Sequence, residues 1–455
     1  MKKNEEYIVC IIDNGCSGEG IAKIDGITVF IPEAIKGEEV KIKILKVNKS
    51  YCFAKIIEIL KPSNVRTAED CLTYKKCGGC NLRHIEYNET LNIKKAIVEN
   101  CLEKELRKAP KVNNVIGMKD PYYYRNKLQY PVGISAENTP IMGIYSSRTH
   151  NIIPTEKCFI QNEECQNIVN DLFEFIKNSG TKPYNEKTLT GTLRHIVIRI
   201  GIKTNEVLVT LVVNDNEVQK EKELIEYITT KHTNIKSIVK NYNTKNTNVI
   251  LGNRNEVIFG EGYIYDILGD YKFKISPLSF YQVNPIQTEI LYNTAIKFLN
   301  NKSNNMALDL YCGIGTIGIF ASRYFKKVYG IEIVEEAIED AKYNAKINQI
   351  DNIEFFAGDV EKVLPKIIEK DKIKPNIVFV DPPRKGLDNK TKEILKQLQP
   401  EQIIYISCNP ATLARDLKSL EEKYEIKEVQ PVDMFPYTSH VECVSVLELK
   451  ENTEK

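Results

Sequence analysis

The sequence predicts a multidomain α/β protein with an OB-type β-barrel at its N-terminus, a central α+β part and a Rossmann-like sheet at its C-terminus. Three observations support this architecture. Short strands separated by turns fill residues 7–60, a cysteine cluster and a mostly strand-like stretch follow, and strands alternate with helices after Pro277. A length of 455 residues suits about three domains. We expect them at residues 1–61, 62–272 and 273–455.

The N-terminal part contains five strand-like runs separated by turns, and in the fourth Val40, Ile42 and Ile44 alternate with charged residues as in a half-buried strand. The runs are Tyr7–Ile12, Gly20–Ile24, Ile27–Ile31, Glu39–Leu45 and Tyr51–Ile59. Small OB barrels of this kind often bind nucleic acid on their open face. Lysines also outnumber acids between Lys41 and Lys61, where Glu58 is the only carboxylate. A solvated strand face explains this basic stretch as well as RNA binding does.

Composition places the chain among soluble cytoplasmic proteins. The net charge is only +2, and 42% hydrophobic with 27% charged residues is ordinary for a globular protein. The N-terminus does not resemble a signal peptide, and no uninterrupted apolar run reaches the ~18 residues of a membrane span. In a reducing cytoplasm the 12 cysteines are expected to serve metal binding, catalysis or packing rather than disulfides.

After a helical segment at 88–108 and the strand-like region 122–270, the C-terminal part alternates strands with amphipathic helices such as Val334–Asn348 and Lys390–Leu398. This alternation predicts a doubly wound parallel sheet. The strand-like runs are Ala307–Tyr311, Lys327–Glu332, Ile353–Phe356, Ile377–Val380 and Ile403–Ile406.

A glycine motif follows the first of these strands, with Gly313, Gly315 and Gly318 in the spacing Gly-x-Gly-x-x-Gly. Glycines let the backbone approach a ligand, and the following helix N-terminus favours an anionic group. The motif alone would equally suit NAD, and a tight turn without a ligand is also compatible with it. The residues that follow the motif distinguish between these interpretations.

Acidic residues at the ends of the next strands favour S-adenosyl-L-methionine (AdoMet). Glu332 ends the second strand, where an acid can bind both ribose hydroxyls. Asp359 follows the third strand, where methyltransferases commonly hold the adenine amino group. An Asp-Pro-Pro-Arg turn, Asp381–Arg384, follows the fourth strand and is typical of methyltransferases rather than dehydrogenases. We therefore predict a class I methyltransferase domain that binds AdoMet.

Cys408 is the predicted nucleophile, because it stands between a parallel strand and the next helix. Active sites of open α/β sheets lie at that edge, and a helix N-terminus lowers a thiol pKa. The alternative is a small buried cysteine. Glu442, just before the last apolar run, is the predicted general base, although a solvated carboxylate at a strand start is also compatible with this position.

A thiolate and a base together suit methylation at carbon 5 of a pyrimidine. Carbon 5 of uracil is a poor nucleophile until a thiolate adds to carbon 6. A base must afterwards remove the carbon 5 proton so that the thiol can leave. Covalent catalysis of this kind divides one difficult step into easier ones, and a positioned carboxylate contributes typically about 10²–10⁴-fold.

The cysteine cluster predicts a [4Fe–4S] site. Cys71, Cys77 and Cys80 have the spacing Cys-x5-Cys-Gly-Gly-Cys, which can wrap one corner of a cluster and leave the fourth ligand remote. Structural zinc more often uses two paired Cys-x-x-Cys knuckles, and this region has one. Spacing alone leaves Cys158 and Cys165 equal as the fourth ligand.

Over nearly its whole length, the chain resembles the RNA uracil-5-methyltransferases, specifically the bacterial 23S rRNA branch with an N-terminal TRAM domain. The likeness rests on the barrel, the Cys-x5-Cys-Gly-Gly-Cys motif and a Phe-x-Gln-x-Asn segment within Ser279–Asn284. Tyr124–Lys127 resembles a further family segment near the active site. The family's fourth cluster ligand follows a 77-residue gap, and Cys158 stands at that gap after Cys80.

The resemblance also implies residue roles. Gln282 would line the AdoMet and uracil pocket, and Arg384 would orient the uracil. By the same likeness Tyr311, Glu332 and Asp381 contact AdoMet, Cys408 is the nucleophile and Glu442 the base.

The expected substrate is a single-stranded or flipped-out uridine of 23S rRNA, since the tRNA branch lacks the barrel and the cluster. We expect a monomer that uses AdoMet and a structural [4Fe–4S] cluster. A tRNA uridine methyltransferase is the main alternative. An RNA chaperone without catalysis is less compatible with intact Cys408, Glu442 and Asp381, and a cytosine-5 methyltransferase would usually carry a cysteine in the Asp-Pro-Pro region.

Overall fold

A computed structural model describes residues 1–147, 149–214, 217–300, 306–371 and 373–451. The chain forms two compact units. The first comprises Met1–Pro121, Pro383–Leu387 and Ile406–Lys450, and the second comprises mainly Tyr122–Pro382 and Asp388–Tyr405. Across the described ranges, each helix is too short or too polar to cross a membrane.

The first unit begins with a six-stranded barrel-like sheet. Its strands are β1 (Glu6–Cys10), β2 (Asp13–Asn14), β3 (Gly20–Ile24), β4 (Ile27–Ile31), β5 (Glu39–Val47) and β6 (Tyr51–Lys61), in the order β1-β5-β6-β4-β3-β2. The five predicted strands are confirmed, except that the first ends at Cys10 instead of Ile12 and is followed by the short strand β2, which the sequence does not predict. Ile11 N–H donates to Glu38 on one side, whereas Ile12 N–H donates to Ile21 in β3. The chain therefore changes partner strand at this point, which interrupts the predicted strand.

Helix α1 (Tyr87–Glu105) and the short strand β7 (Lys111–Val112) follow in the same unit. The predicted helical segment is thereby confirmed. Ile93, Ile97, Val98 and Leu102 form its buried stripe, with the i, i+4 spacing of an amphipathic helix.

The second unit opens with a seven-stranded sheet in the order β10-β9-β8-β11-β12-β13-β14. Its elements are β8 (Lys127–Ile134), β9 (Pro140–Tyr145), β10 (Ile152–Pro154), α2 (Glu163–Ser179), β11 (Leu193–Ile200), β12 (Val207–Val213), α3 (Glu221–Lys231), β13 (Ile235–Tyr242) and β14 (Arg254–Gly260). Neighbours are antiparallel except β12 and β13, which α3 connects as a parallel pair. Buried side chains of α2 and α3 share one core with one face of the sheet.

The prediction that residues 122–270 are mostly strand is wrong for α2 and α3, which are helices. In α2, buried Cys165, Val169, Leu172 and Ile176 recur at helical spacing. The side chain of Asn162 accepts from the N–H groups of Glu164 and Cys165, so it caps the helix N-terminus. Both signals are local to the sequence.

The hairpin β15 (Ile264–Leu268) and β16 (Tyr271–Ile275) leads through α4 (Pro285–Lys297) to the predicted parallel sheet. Its elements are β17 (Met306–Leu310), α5 (Thr316–Ala321), β18 (Lys327–Glu332), α6 (Glu335–Ile347), β19 (Ile353–Ala357), α7 (Val360–Asp371), β20 (Ile377–Val380), α8 (Asn389–Leu398) and β21 (Gln402–Ser407), with a 3₁₀ turn at Ser322–Tyr324. These strands run parallel in the order β19-β18-β17-β20-β21. The order reverses at β17, and ligands of doubly wound folds bind at such a switch point.

The chain returns to the first unit within β21 and continues as α9 (Pro410–Leu420), β22 (Tyr424–Val432) and β23 (Glu442–Leu449). α9 packs against α1. β22 pairs antiparallel with β23 and parallel with β7.

Candidate active site

The glycine loop after β17 is held in a conformation that needs glycine. Tyr311, Gly313 and Gly315 have φ angles of 66°, 53° and 81°, in the left-handed region that side chains with a Cβ adopt at a cost. A Cβ on Gly315 would also stand 2.7 Å from the Phe355 ring. Asp309 supports the loop from within the sheet, since its Oδ2 accepts from Gly318 N–H at 2.7 Å.

Glu332, the last residue of β18, faces this loop. Its Oε2 accepts from Gly313 N–H at 3.1 Å and its Oε1 from Val334 N–H at 3.0 Å. Each carboxylate oxygen has two lone pairs. The carboxylate is therefore fixed by backbone donors and keeps acceptor capacity for a pair of ligand hydroxyls.

Asp359 and Asp381 follow the next two strands along the chain. Asp359 Oδ1 accepts from Glu361 N–H at 3.3 Å at the start of α7. Asp381 N–H donates to Leu310 at 3.3 Å, and desolvation by burial raises the pKa of its carboxyl to about 7. Because β17, β18, β19 and β20 are parallel neighbours, the residues at their carboxyl ends share one edge of the sheet.

The charges at this edge affect one another. Burial raises the pKa of Asp309 to about 8, and the negative charges of Asp381 and Glu332 add to the shift. Tyr311 is fixed separately, since its hydroxyl donates to Asp388 Oδ2 at 3.2 Å. This edge of the sheet therefore carries several oxygen acceptors. Among the described residues, no lysine contacts Glu332 or Asp381. Such an edge suits a ligand rich in hydroxyl and amino donors.

Gln282 lies in the segment before α4 and is tied to the Tyr124–Lys127 segment. Asn126 Nδ2 donates to the Gln282 carbonyl at 3.1 Å, and Asn126 N–H donates to the Val283 carbonyl at 2.9 Å. Asn126 is 4% exposed. The resemblance places Asn126 in a segment near the active site without assigning it a role, and the sequence does not single out Asp388, because no motif contains it.

Cys408 stands between β21 and α9 with a partly exposed side chain. The next residue, Asn409, caps α9, since its Oδ1 accepts from Ala411 and Thr412 N–H. Asn409 Nδ2 and Thr412 Oγ1 also donate to the Arg384 carbonyl at 3.4 Å and 3.2 Å. The start of α9 therefore holds the Pro383–Leu387 turn beside the cysteine.

Glu442 begins β23 and is 3% exposed, so it is not a solvated carboxylate. Its neighbour Cys443 is fully buried, and burial raises the pKa of the Cys443 thiol, with further contributions from Glu442, Cys101 and Cys408. The charges of Glu442 and Cys408 thus both act on the same buried thiol. A partly exposed thiol and a buried carboxylate of this kind can serve as nucleophile and base.

His440 is a further member of this site, to which the sequence alone assigns no role. Arg384 Nη2 donates to His440 Nε2 at 3.4 Å. Burial lowers the pKa of His440, and the positive charges of Arg384 and Lys94 lower it further. A neutral imidazole can accept this hydrogen bond and so orient the guanidinium.

The predicted cluster cysteines are partly exposed. Cys71, Cys77 and Cys80 lie on a turn, and Gly79 N–H donates to Cys77 Sγ at 3.3 Å. Cys158 is also partly exposed, whereas Cys165 is fully buried in the core of the second unit. In the described parts of the chain, no three His, Cys, Asp or Glu side chains are grouped so that they could hold a metal ion.

The fold and the site define a class of protein, the AdoMet-dependent RNA methyltransferases, and comparisons identify the family within it. Residues 86–450 match the tRNA (uracil-5-)-methyltransferase family, and residues 2–57 match the TRAM domain. The chain therefore belongs to the RNA uracil-5-methyltransferase family and carries an N-terminal TRAM domain.

Relatives of the same length support this assignment. The chain is 49% identical to an RNA methyltransferase of Clostridium acetobutylicum over 98% of both chains. It is 45% identical to one of Halalkalibacterium halodurans, over 99% of this chain and 98% of the relative. A solved structure, the tRNA (uracil-54, C5)-methyltransferase of Pyrococcus abyssi in complex with S-adenosyl-L-homocysteine, matches with a TM-score of 0.77 and 26% identity over 97% of this chain and 100% of that one.

Proposed function

We propose that this protein acts in the cytoplasm, transferring the methyl group of AdoMet to carbon 5 of a uridine in 23S rRNA. The observation that carries the chemistry is the partly exposed Cys408 just before α9, together with the buried carboxylate of Glu442 at the start of β23. AdoMet supplies the methyl group when it is bound. Glu332, Tyr311, Asp359, Asp381 and Gln282 would hold it, because the first four lie at one sheet edge that is rich in acceptors.

The protein's own residues act on the uracil in two stages. The Cys408 thiolate adds to carbon 6, forming a C–S bond and placing the electron pair of the carbon 5–carbon 6 double bond on carbon 5, which then takes up the methyl group. Glu442 next removes the proton from carbon 5. The double bond re-forms and the C–S bond breaks, returning the thiolate of Cys408. Arg384, with His440 beside it, would orient the uracil.

The cysteine motif at 71–80 supports rRNA as the substrate, because in the resemblance above it belongs to the rRNA branch. The TRAM domain at residues 2–57 does not separate the two substrates, since a match over 97% of this chain to a tRNA methyltransferase is too long to leave out the N-terminal barrel. One observation favours tRNA instead, namely the structural match to a tRNA (uracil-54, C5)-methyltransferase over 97% of this chain. A tRNA uridine-5-methyltransferase is therefore the second candidate.

Mapping 5-methyluridine tests the substrate. The purified enzyme is incubated with AdoMet and either 23S rRNA or total tRNA transcribed without modifications, and the products are digested and analysed by mass spectrometry. We expect 5-methyluridine at a defined position of the 23S rRNA and none in tRNA. The reverse result would establish the tRNA alternative, and product in neither RNA would contradict the proposed function.

We also propose a structural [4Fe–4S] cluster held by Cys71, Cys77, Cys80 and Cys158. The Gly79 amide that donates to Cys77 Sγ is the kind of hydrogen bond that stabilises cluster sulfurs, and the partial exposure of Cys158 contrasts with the buried Cys165. Anaerobic purification should give about four iron and four sulfide per chain. Stoichiometric zinc would overturn this proposal.

We propose three domains with separate roles. Residues 1–61 bind RNA, residues 62–272 hold the cluster, and residues 273–455 carry out catalysis. We propose that the protein works as a monomer. Light scattering during size-exclusion chromatography should then give a mass near 52.1 kDa, and twice that mass would contradict it.

A further inference from the structure

Three aromatic side chains form a cluster on the outer face of the barrel. The ring centroids of Phe30 and Tyr51 are 5.8 Å apart, those of Phe30 and Phe53 5.8 Å, and those of Tyr51 and Phe53 5.5 Å. The pairing of β4 with β6 makes Phe30 and Phe53 register partners. We refer to Phe30, Tyr51 and Phe53 as the aromatic patch.

The aromatic patch is not part of the barrel core. Side chains alternate between the two faces of a strand, and Val29, Ile31, Cys52 and Ala54 fill the buried face next to it. Tyr51 remains 38% exposed, and Phe30 and Phe53 are partly exposed. Contiguous exposed aromatic surface commonly marks a binding site.

Lysines surround the aromatic patch. Lys46 is the register partner of Phe53, and Lys55 lies two residues beyond Phe53 on the same face of β6. Lys23 is the register partner of Thr28, which in turn pairs with Tyr51. Within the described residues, Lys23, Lys46 and Lys55 form no ion pair and donate no side-chain hydrogen bond. Their charges are therefore available to an external anion.

We propose that the aromatic patch is a stacking site for bases of single-stranded RNA, with Lys23, Lys46 and Lys55 contacting the phosphates. The inference deepens the proposed function and rests on its RNA substrate. Aromatic rings flanked by cations are the means by which OB-type barrels bind single strands, since every base can stack and every nucleotide carries a phosphate. Protein-binding patches, by contrast, are depleted in lysine.

The absence of tryptophan from the chain allows a direct test. Phe53→Trp introduces a single indole into the aromatic patch of the full-length protein. Ile8→Trp places a control indole on β1, which is separated from β6 by β5, at a position 60% exposed. The probe is single-stranded oligouridylate of about 12 nucleotides, within the site size of an OB fold. We expect the probe to quench the Phe53→Trp emission, because a base would stack on the indole, and to leave the Ile8→Trp emission nearly unchanged.

Affinity provides the second measurement. Phe53→Leu, which keeps an apolar side chain, should weaken binding of the probe about tenfold, which is about 1.4 kcal/mol. Lys46→Ala should reduce the dependence of log Kd on log salt by about 0.7, the contribution of one phosphate in a single strand. Lys36→Ala is the charge-matched control, because Lys36 pairs with Asp13 at 3.6 Å and lies outside the aromatic patch.

Melting temperatures of all variants are measured alongside, and Tyr51→Trp replaces Phe53→Trp if the latter does not fold. Equal quenching of both indoles, or wild-type affinity in Phe53→Leu, would overturn the stacking site. Both readouts measure binding, so they are independent of methyl transfer. If the wild-type enzyme forms 5-methyluridine but the aromatic patch fails these tests, the proposed function stands and the stacking site does not. If the patch passes the tests but no 5-methyluridine forms, the stacking site stands and the proposed function does not.

Discussion

The carboxylate of Glu332 accepts a hydrogen bond from the backbone N–H of Gly313 at 3.1 Å, across the parallel strands β17 and β18. The acid that we expect to hold the ribose therefore also fixes the glycine loop on which the same ligand would lie. Glu332 therefore both positions the loop and is expected to bind the cofactor. We expect its substitution to lower cofactor affinity more than it lowers the stability of the fold.

The first prediction concerns Glu332→Gln. The amide replaces one acceptor oxygen by a donor that faces a backbone N–H, and it removes the charge from hydrogen bonds worth about 1.5–3 kcal/mol. AdoMet affinity measured by calorimetry should fall roughly 10- to 150-fold. Glu335→Gln, an exposed acid in the first turn of α6, is the matched control and should bind normally. Equal affinity in wild type and Glu332→Gln would remove Glu332 from the cofactor site.

The second prediction concerns pH and Asp309. Burial raises its pKa from 3.8 to about 8 in the folded protein, so between these values the folded state binds a proton that the unfolded state has released. The free energy of unfolding should therefore fall as pH rises from about 4 to about 8. Asp309→Asn imitates the protonated form and should flatten this fall. Part of the fall in stability should remain in Asp309→Asn, because the pKa of Asp381 is also raised, to about 7.

Urea denaturation of both proteins at several pH values checks the Asp309 prediction. Asp309→Ala serves as a second comparison, because it removes the same titrating group and also leaves Gly318 N–H without its acceptor. Its pH profile should match that of Asp309→Asn, with a free energy of unfolding lower by about 1–3 kcal/mol. An identical pH profile in wild type and Asp309→Asn would contradict the assignment.

The third prediction follows from two like charges in register. Lys127 in β8 and Arg199 in β11 are direct partners, and burial, followed by Arg199 and Arg125, lowers the pKa of Lys127 to about 7. The unfolded chain holds this proton up to its ordinary pKa of 10.5. The free energy of unfolding should therefore rise with pH between about 7 and 10.5.

Lys127→Met should remove that rise and increase stability near pH 6, where the repulsion in the wild type is complete. Lys222→Met, at an exposed position on α3, is the control for side-chain change. If Lys127→Met lowers the melting temperature at pH 6, the pair is not repulsive in the folded protein.

Sequence patterns located most strands correctly because their signals are local. The predicted bounds agree with the structure for Gly20–Ile24, Ile27–Ile31, Lys327–Glu332 and Ile377–Val380. The support of the site could not be predicted in this way. The hydrogen bonds from Asn126 to Gln282 and from Arg384 to His440 join residues distant in the chain, and each residue is of a type common on any surface.

The fourth prediction concerns a buried ion pair in the first unit. Lys94 Nζ, on a side chain with no exposure, donates to Asp433 Oδ1 at 2.5 Å and to the Phe435 carbonyl at 3.0 Å. Tyr87 hydroxyl donates to Asp433 Oδ2 at 2.8 Å. These contacts fix the segment that leads from β22 to Glu442. Lys94→Met leaves a buried carboxylate without its cation and should lower stability by about 3–5 kcal/mol.

A double-mutant cycle checks this pair. Lys94→Met combined with Asp433→Asn should lose less than the sum of the two single variants, because the second change removes the charge that the first leaves uncompensated. Lys95→Met is the neighbouring control, since Lys95 is only partly buried and bonds Asn114 at the surface. Strict additivity would contradict the coupling.

The last prediction separates the two reaction stages. Cys408→Ala removes the nucleophile, so methylation should stop while AdoMet affinity is retained, because the expected AdoMet ligands are other residues. Glu442→Gln leaves the thiol able to add to carbon 6 but removes the base that takes the carbon 5 proton. The methylated uridine should then stay bound to Cys408, and a complex of protein and RNA should persist on a denaturing gel. The double variant Cys408→Ala/Glu442→Gln is the control and should give no such band. Multiple turnovers by Glu442→Gln at the wild-type rate would assign proton removal to another group, and an adduct in the double variant would show that the bond is made by a different cysteine.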